Sequence, residues 1–331
     1  MFSSARNFCT LFLALAFVFQ TGCNPPQISQ NPNASGSNTS AENSQRDGQI
    51  HPASQPGLSI NVASFNIRQF GKTKISRPVV TSILVDIVKK FDIVAVQELR
   101  DADQRVIPQF LEMINAQGAR YAAAVGPRQG YKTPGEEPTY FEQTIFIYDT
   151  NTIQLLGQPY AAYDPTQAMH RPPFVGHFQC IGNTPQEPFS FVLMNVHVAP
   201  KNVTPELQAL EQIIPQIRQN HSGEDDFILL GDLNAEINQF AQYSWMNAPT
   251  AAIAPHMKTT TTLKRSIDNI VYDRNETREF IRSDVLNLME QYGLSTSDAE
   301  LVSDHMPVWA SFATIESSSA SITQGPQGVR R

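Results

Sequence analysis

Acidic, amide and imidazole side chains recur at the ends of the apolar segments that we predict to be β-strands. Asn66 follows the segment that ends at Phe65, and Glu98 follows shortly after the segment that ends at Val96. Strands that share a sheet can bring such ends to one rim, so we expect these side chains to lie close together. The complete set is Asn66, Glu98, His197, Asp232, Asn234, Asp268, Asp304 and His305.

These residue types are suited to the hydrolysis of a phosphodiester. The reaction requires that a water loses a proton, that charge on the phosphate is stabilised and that the leaving alkoxide is neutralised. A divalent cation held by oxygen ligands meets the last two needs, while imidazoles and carboxylates move protons. Asp232 and Asn234 flank Leu233, so on an extended stretch both side chains would point the same way. The alternative is a turn after Gly231.

Apolar periodicity predicts a mixed α/β domain over residues 58–315, without internal repeats. A helix is predicted over residues 78–91, and a second begins at Pro205 with Thr204 as its cap and is kinked or ended by Pro215. Residues 126–137 and 160–173 are predicted surface loops. The predicted strands are 58–65, 92–96, 144–148, 189–197, 227–231, 266–272 and 307–313.

The first 22 residues have the composition of an export signal. An apolar run of 12 residues over 8–19 follows Arg6, and it is too short to span a bilayer as a helix. Gly22 and Cys23 then resemble a bacterial lipoprotein cleavage site, which predicts lipidation of Cys23 and attachment to a membrane. Plain secretion is the alternative, because Gln20 stands where Leu is usual. Either route places the protein in the periplasm or outside the cell.

Two further segments are too polar to fold. Residues 23–57 are rich in Asn, Ser, Gln and Pro and nearly free of large apolar side chains, which predicts a flexible tether. Residues 316–331 are predicted to form a disordered tail for the same reason.

Charge and cysteine content narrow the class of protein. The net charge of −7 weighs against a protein that coats nucleic acid, but residues 68–132 hold 11 Lys and Arg against 6 Asp and Glu. This segment could form a basic face that meets phosphates, or its charges could simply be scattered and solvated. Within the predicted domain Cys180 is the only cysteine, which excludes an internal disulfide. No Cys/His cluster indicates zinc.

Six motifs, in order along the chain, resemble those of the endonuclease/exonuclease/phosphatase superfamily. They are ASFNIR (63–68), VQELRD (96–101), NVH (195–197), GDLNA (231–235), IDNI (267–270) and SDHMPV (303–308). NIRQFG at 66–71, YFE at 140–142 and RPP at 171–173 are most similar to the deoxyribonuclease I-like branch. The resemblance implies an α/β (α+β) fold, a four-layer sandwich of two packed mixed β-sheets flanked by helices, with the active site at one rim.

The resemblance also implies roles for individual residues. Glu98, with Asn66 beside it and Asp304 nearby, would hold Mg²⁺, with Ca²⁺ or Mn²⁺ as alternatives. His197 and His305 would form an acid–base pair. The remaining roles fall into three groups: Glu142 and Asp268 as the carboxylate partners of the two histidines, Asp232 and Asn234 at the phosphate, and Arg68, Arg100, Arg171 and Tyr140 in contact with DNA.

The sequence departs from the deoxyribonuclease I-like branch in two respects, and two alternative functions remain open. Animal members of the branch carry disulfides that this chain lacks, and Glu136 and Glu137 stand close to Tyr140, where a basic residue would help to bind DNA. One alternative is another phosphoesterase of the superfamily, such as a sphingomyelinase or a sugar-phosphate phosphatase. The other is a surface lipoprotein that binds a partner without catalysis. No protein partner is predicted, and a monomer is expected.

Overall fold

The computed structural model describes residues 58–130, 141–182 and 185–317. The strands are β1 (Ser59–Phe70), β2 (Ile93–Leu99), β3 (Tyr121–Val125), β4 (Gln129–Gly130), β5 (Phe141–Asp149), β6 (Ile153–Ala161), β7 (Phe174–Cys180), β8 (Ser190–His197), β9 (Phe227–Asp232), β10 (Pro249–Ala251), β11 (Asp268–Asp273), β12 (Phe280–Val285) and β13 (Val308–Ala313). The helices are α1 (Lys72–Ile75), α2 (Pro78–Val88), α3 (Val106–Asn115), α4 (Val203–Asn220), α5 (Ile237–Phe240), α6 (Leu288–Tyr292) and α7 (Thr296–Val302).

The strands form two mixed sheets. Sheet I has the order β12-β13-β1-β2-β5-β3, with β4 also paired to β5, and sheet II has the order β10-β11-β9-β8-β7-β6. Only β1–β2 and β8–β9 are parallel pairs among these strands, and the other pairings are antiparallel. Each parallel pair is connected through a helix, α2 in sheet I and α4 in sheet II, as a parallel pairing requires.

Both faces of each sheet are buried, and this produces four layers. Ile60 and Val62 of β1 point into the core between the sheets, while Ala63 and Phe65 point to the opposite face, where the helices α2 and α3 pack. Alternating side chains of one strand therefore contribute to two cores, which explains why β1 is an almost continuous apolar run. A third core packs α4 against the outer face of sheet II. The predicted sandwich of two sheets flanked by helices is confirmed.

The predicted elements are recovered with corrections at their ends. The helix predicted over 78–91 ends at Val88, and the helix expected from Pro205 begins at Val203 after Asn202. Pro215 lies inside that helix, which continues to Asn220, because the packing of its apolar face on sheet II outweighs the lost hydrogen bond. Part of the predicted 160–173 loop is strand, since β6 extends to Ala161.

Several predictions concern segments at or beyond the limits of the described residues. The residues outside them include the predicted signal peptide and tether, Cys23, Tyr140 and nearly all of the predicted tail. Among the residues that are described, no helix is long and apolar enough to cross a membrane.

Candidate active site

Strand register brings the polar strand ends together. In sheet I, Asn66 is paired with Gln97, the neighbour of Glu98, because β1 and β2 run parallel. In sheet II, Asp232 is paired with His197 on one side and with Asp268 on the other. Because the two sheets pack face to face, these ends form one rim where side chains of both sheets meet, as the Asn66–Asp232 contact described below demonstrates.

Glu98 is turned into this rim by an irregularity in β1 and β2. The pairing of the two strands shifts after Asn66, and Glu98 has a φ of 65°, a left-handed conformation that is uncommon for a residue with a side chain. Its carboxylate accepts hydrogen bonds from Nδ2 of Asn66 at 3.3 Å, from the backbone N–H of Gln69 at 3.0 Å and from Arg100 at 2.9 Å. Such local strain is typical of functional positions, where the surrounding contacts hold it.

His197 is held by a buried carboxylate behind it. Its Nδ1 donates to Oε1 of Glu142 at 2.7 Å, and the same oxygen lies 3.1 Å from Nε of Arg171. Burial alone would raise the pKa of Glu142, but His197, Arg171 and Arg100 outweigh burial and lower that pKa. Glu142 therefore stays ionised and orients the imidazole with Nε2 facing the rim.

His305 is held in the same way by a carboxylate of sheet II. Its Nδ1 lies 2.9 and 3.0 Å from the two oxygens of Asp268, which also accepts from the hydroxyl of Thr259 at 2.6 Å. Burial lowers the pKa of His305, but the carboxylates of Asp268 and Asp232 outweigh burial and raise that pKa to about 10. Burial also raises the pKa of Asp268, so the pair as a whole tends to hold a proton between the two residues.

Asp232 lies between the two histidines. Its Oδ2 accepts from Nδ2 of Asn66 at 3.0 Å and lies 3.7 Å from Nε2 of His197 and 3.6 Å from Nε2 of His305. Two imidazoles thus approach one carboxylate oxygen with their free nitrogens. This arrangement can bind a water or a phosphate oxygen and exchange protons with it.

Asn234 lies on a turn, and the expectation of an extended stretch was wrong. Its φ is 48°, and its backbone N–H donates to Oδ1 of Asp232 at 2.9 Å, which closes the turn that was the alternative. Its Nδ2 donates to the backbone oxygen of Val198 at 2.9 Å, so the side chain braces the end of β8.

The arginines occupy different environments. Arg68 is about half exposed, with NH1 3.4 Å from Asp304, and Arg100 is partly exposed beside Glu98. The side chain of Arg171 is only 2% exposed, and its Nε donates to the backbone oxygen of His197 at 3.0 Å. Contact of these arginines with phosphates stays a prediction, and Arg171 has in addition a structural contact with Glu142.

Residues near Glu98 offer oxygens suited to a divalent cation. Oδ1 of Asn66 and Oδ1 of Asp304 are buried and have no hydrogen-bond partner within the described ranges. Amide and carboxylate oxygens are the ligands that Mg²⁺ and Ca²⁺ prefer. Asp232, Asp268 and His305 also have possible ligand atoms within 4.8 Å of one another; Nδ1 of His305 is bonded to Asp268, and its Nε2 faces Asp232. The unpartnered oxygens of Asn66 and Asp304 and the carboxylate of Glu98 are therefore candidate ligands for such a cation.

Some supporting residues were not predicted. Nε2 of Gln97 donates to Oδ1 of Asn195 at 2.7 Å, and Nδ2 of Asn195 donates to backbone oxygens of β2 and β5, which connects the sheets below the site. The hydroxyl of Ser303 donates to the backbone oxygen of Asn66 at 2.6 Å. The six motifs contain Gln97, Asn195 and Ser303, so their membership in a motif could have indicated a role at the site. Nothing in the sequence indicated such a role for Thr259.

Fold and site together define a class of protein. The model of the Endonuclease/Exonuclease/phosphatase family matches residues 63–305, and the chain belongs to this family of hydrolases that act on phosphate esters. Among curated relatives, the chain is 28% identical over 279 residues to deoxyribonuclease-1 of Oryctolagus cuniculus, covering 77% of this chain and 93% of the relative. It is also 28% identical over 271 residues to deoxyribonuclease gamma of Rattus norvegicus, covering 76% of this chain and 84% of the relative.

Solved structures share the fold at low sequence identity. A family member from Bacteroides vulgatus is similar with a TM-score of 0.53 and 16% identity, covering 78% of this chain and 99% of that chain. A mannosyl-6-phosphatase from Bacteroides thetaiotaomicron is similar with a TM-score of 0.51 and 17% identity. The alignment covers 76% of this chain and 98% of the phosphatase. These likenesses support the deoxyribonuclease I-like sandwich and leave the substrate undetermined.

Proposed function

We propose that this protein is a divalent-metal-dependent endonuclease that cleaves DNA. The observation that carries the proposal is the pair of histidines, each held through Nδ1 by a buried carboxylate and each within 3.7 Å of one oxygen of Asp232. Sequence similarity to two deoxyribonucleases over most of their length supports DNA as the substrate.

The two histidines divide the proton transfers in this proposal. Nε2 of His305 faces Asp232, and the neighbouring carboxylates favour its protonated form, in which it can donate a hydrogen bond to the phosphate and stabilise the charge that develops there. His197 exchanges a proton through Nε2, since its Nδ1 is engaged by Glu142. Asp232 orients the reacting oxygen between them, and Asn234 keeps that carboxylate in place through its backbone N–H.

Glu98, Asn66 and Asp304 are the residues that would hold the cation, which we expect to be Mg²⁺. When bound, the ion supplies positive charge that stabilises the phosphate and the leaving oxygen. Arg68 and Arg100, which are partly exposed, would contact neighbouring phosphates, and Tyr140 would contact a nucleotide. Arg171 is buried against Glu142, so a phosphate contact would require it to move.

Digestion of supercoiled plasmid tests this function. Purified protein is incubated with plasmid, with single-stranded DNA and with sphingomyelin or a sugar phosphate, each with Mg²⁺ and with excess EDTA. We expect Mg²⁺-dependent nicking of the plasmid and little cleavage of the lipid or the sugar phosphate. Robust hydrolysis of the lipid or the sugar phosphate without nicking would show that the protein is instead a sphingomyelinase or a sugar-phosphate phosphatase of the same superfamily. A protein inactive on every substrate would support the binding lipoprotein.

The cellular location of the protein is proposed independently of its activity. The signal-like residues 1–22 and Gly22–Cys23 support export with a lipid anchor at Cys23. Labelling of the expressed chain with a fatty-acid analogue, compared with Cys23→Ser, tests this. Equal label on both chains excludes the anchor and leaves plain secretion. We expect the soluble domain to be monomeric in size-exclusion chromatography.

A further inference from the structure

A second group of three carboxylates, two of them buried, lies at the end of the sheets opposite the active site. Asp226 immediately precedes β9, Glu279 precedes β12 and Glu316 lies just after β13. Asp226 and Asp232 are separated by the length of β9, and six residues at the rise of a strand span about 20 Å. The group is therefore too far from Glu98 and Asp232 to share a cation with them.

The three carboxylates lie close to one another. One oxygen of each lies within 4.8 Å of the oxygens of the other two. The residues Asp226 and Glu279 are 1% and 3% exposed, and Oδ1 of Asp226 and Oε2 of Glu279 are buried without a hydrogen-bond partner in the described part of the chain. Oxygens at this separation can share one ion, because Ca²⁺ is bound by oxygens at about 2.3–2.6 Å.

Backbone contacts hold the carboxylates in this arrangement. Oε1 of Glu279 accepts from the N–H of Ser317 at 2.6 Å, and Oε1 of Glu316 accepts from the N–H of Ser190 at 2.8 Å. No Lys or Arg within the described ranges forms an ion pair with Asp226, Glu279 or Glu316. Buried carboxylates without a positive partner are costly, so the arrangement needs either protons or a cation.

The acidity of the group agrees with that conclusion. Burial, assisted by the carboxylates of Glu279 and Glu316, raises the pKa of Asp226 to about 9. Burial, assisted by Glu279 and Glu224, also raises the pKa of Glu316 to about 7. Both shifts have the direction expected of buried carboxyl groups without a positive partner.

We propose that Asp226, Glu279 and Glu316 form a second divalent-cation site that takes Ca²⁺. A ligand set of three carboxylates favours Ca²⁺, because Mg²⁺ is usually bound by one or two carboxylates with waters and zinc prefers nitrogen or sulfur. The ion joins β9 of sheet II to β12 and β13 of sheet I. Its role is structural: it cross-links the two sheets in a domain whose single cysteine cannot form an internal disulfide.

Calorimetry and thermal unfolding in an active-site variant test the proposal. The Glu98→Gln background weakens the cation site of the active-site rim, and protein freed of metal with EDTA is then titrated with Ca²⁺. We expect Ca²⁺ to bind and to raise Tm by about 2–8 °C. Adding Glu279→Gln should abolish both effects, whereas Glu187→Gln, an exposed change in the neighbouring loop, should leave both intact.

Three outcomes overturn the proposal. The first is that the Glu98→Gln protein does not bind Ca²⁺. The second is that Ca²⁺ still raises Tm after Glu279→Gln is added. The third is that Mg²⁺ raises Tm as much as Ca²⁺ does. If Glu279→Gln does not fold, Glu316→Gln replaces it, since Glu316 is partly exposed and its loss leaves the buried pair able to hold a proton. In a chain with Glu98 intact, Glu279→Gln should still nick plasmid at moderate temperature, so failure here is separate from failure of the nuclease proposal.

Discussion

At the scale of single residues, the site is organised by carboxylates that position imidazoles. Glu142 and Asp268 are buried, and each bonds Nδ1 of one histidine, so the two Nε2 atoms face Asp232. The two partners come from different sheets, since Glu142 belongs to β5 and Asp268 to β11. Neither carboxylate is expected to contact the substrate, so both are positioning residues.

Replacing Glu142 by Gln should therefore damage turnover. The amide cannot stabilise a protonated His197 and can present the wrong hydrogen-bonding group to Nδ1, so we expect kcat for plasmid nicking to fall by about 10²- to 10⁴-fold. The measurement is steady-state kinetics with Mg²⁺ alongside Tm. Glu112→Gln, an exposed change of the same type on α3, is the matched control. A rise in KM at constant kcat would contradict the positioning role.

At the scale of elements, two irregular strand ends create the site. The irregularity in β1 and β2 presents Glu98, and the end of β9 places Asp232 in a turn. Gly231 permits the conformation at the end of β9. Its φ is +149°, and a Cβ there would lie 1.9 Å from the backbone oxygen of Val196. The close parallel pairing of β8 and β9 therefore depends on this glycine.

Gly231→Ala should destabilise the domain by about 3 kcal/mol or more, because the methyl group meets backbone that cannot move aside without breaking the pair. Urea unfolding of the folded domain measures the change. Gly157→Ala is the matched control, with a φ of +68° but no atom within 4 Å of the added Cβ, and should cost only about 1 kcal/mol. Similar losses in both variants would show that steric contact is unimportant at Gly231.

At the scale of the whole molecule, the fold is held by three apolar cores in four layers. The core between the sheets contains Phe146, Phe178, Phe191 and Phe312, whose rings pack against one another or against other aromatic rings. Trp245 packs in the outer core under α4 and donates Nε1–H to the backbone oxygen of Leu207 at 3.0 Å, as expected for a core residue. Cys180 is free and buried within the described chain.

Stability should accordingly be independent of reductant. Burial raises the pKa of the Cys180 thiol, so it is unreactive in the native state, and no internal disulfide contributes to the domain. We expect Tm in the presence and absence of dithiothreitol to agree, and Cys180 to react with a thiol reagent only after unfolding. The Cys23→Ser chain serves as the control, because it removes the thiol that Cys23 would carry in protein that is not lipidated. A lower Tm in dithiothreitol for that chain would reveal an unexpected cross-link.

The sequence by itself determined the fold class, the order of the motifs and the chemical types of the site residues. Alternating and continuous apolar runs predicted strands, and the polar residues at their ends predicted one rim, because these signals are local in the chain. The helix through Pro215 and the turn at Asn234 were not predicted correctly, since packing on sheet II and a single hydrogen bond decided them. The apolar patterns of β3, β7 and β12 were also too weak for these segments to be predicted as strands.

The resemblance had paired Glu142 and Asp268 with the two histidines, and the tertiary structure alone decided the other contacts between distant side chains. Asn66 and Asp232 are 166 residues apart, and their contact requires two sheets packed in one register. The convergence of Asp226, Glu279 and Glu316 has the same origin, because no spacing along the chain indicates it. Such contacts depend on strand pairing and packing between distant segments, and these are set by the burial of the whole core.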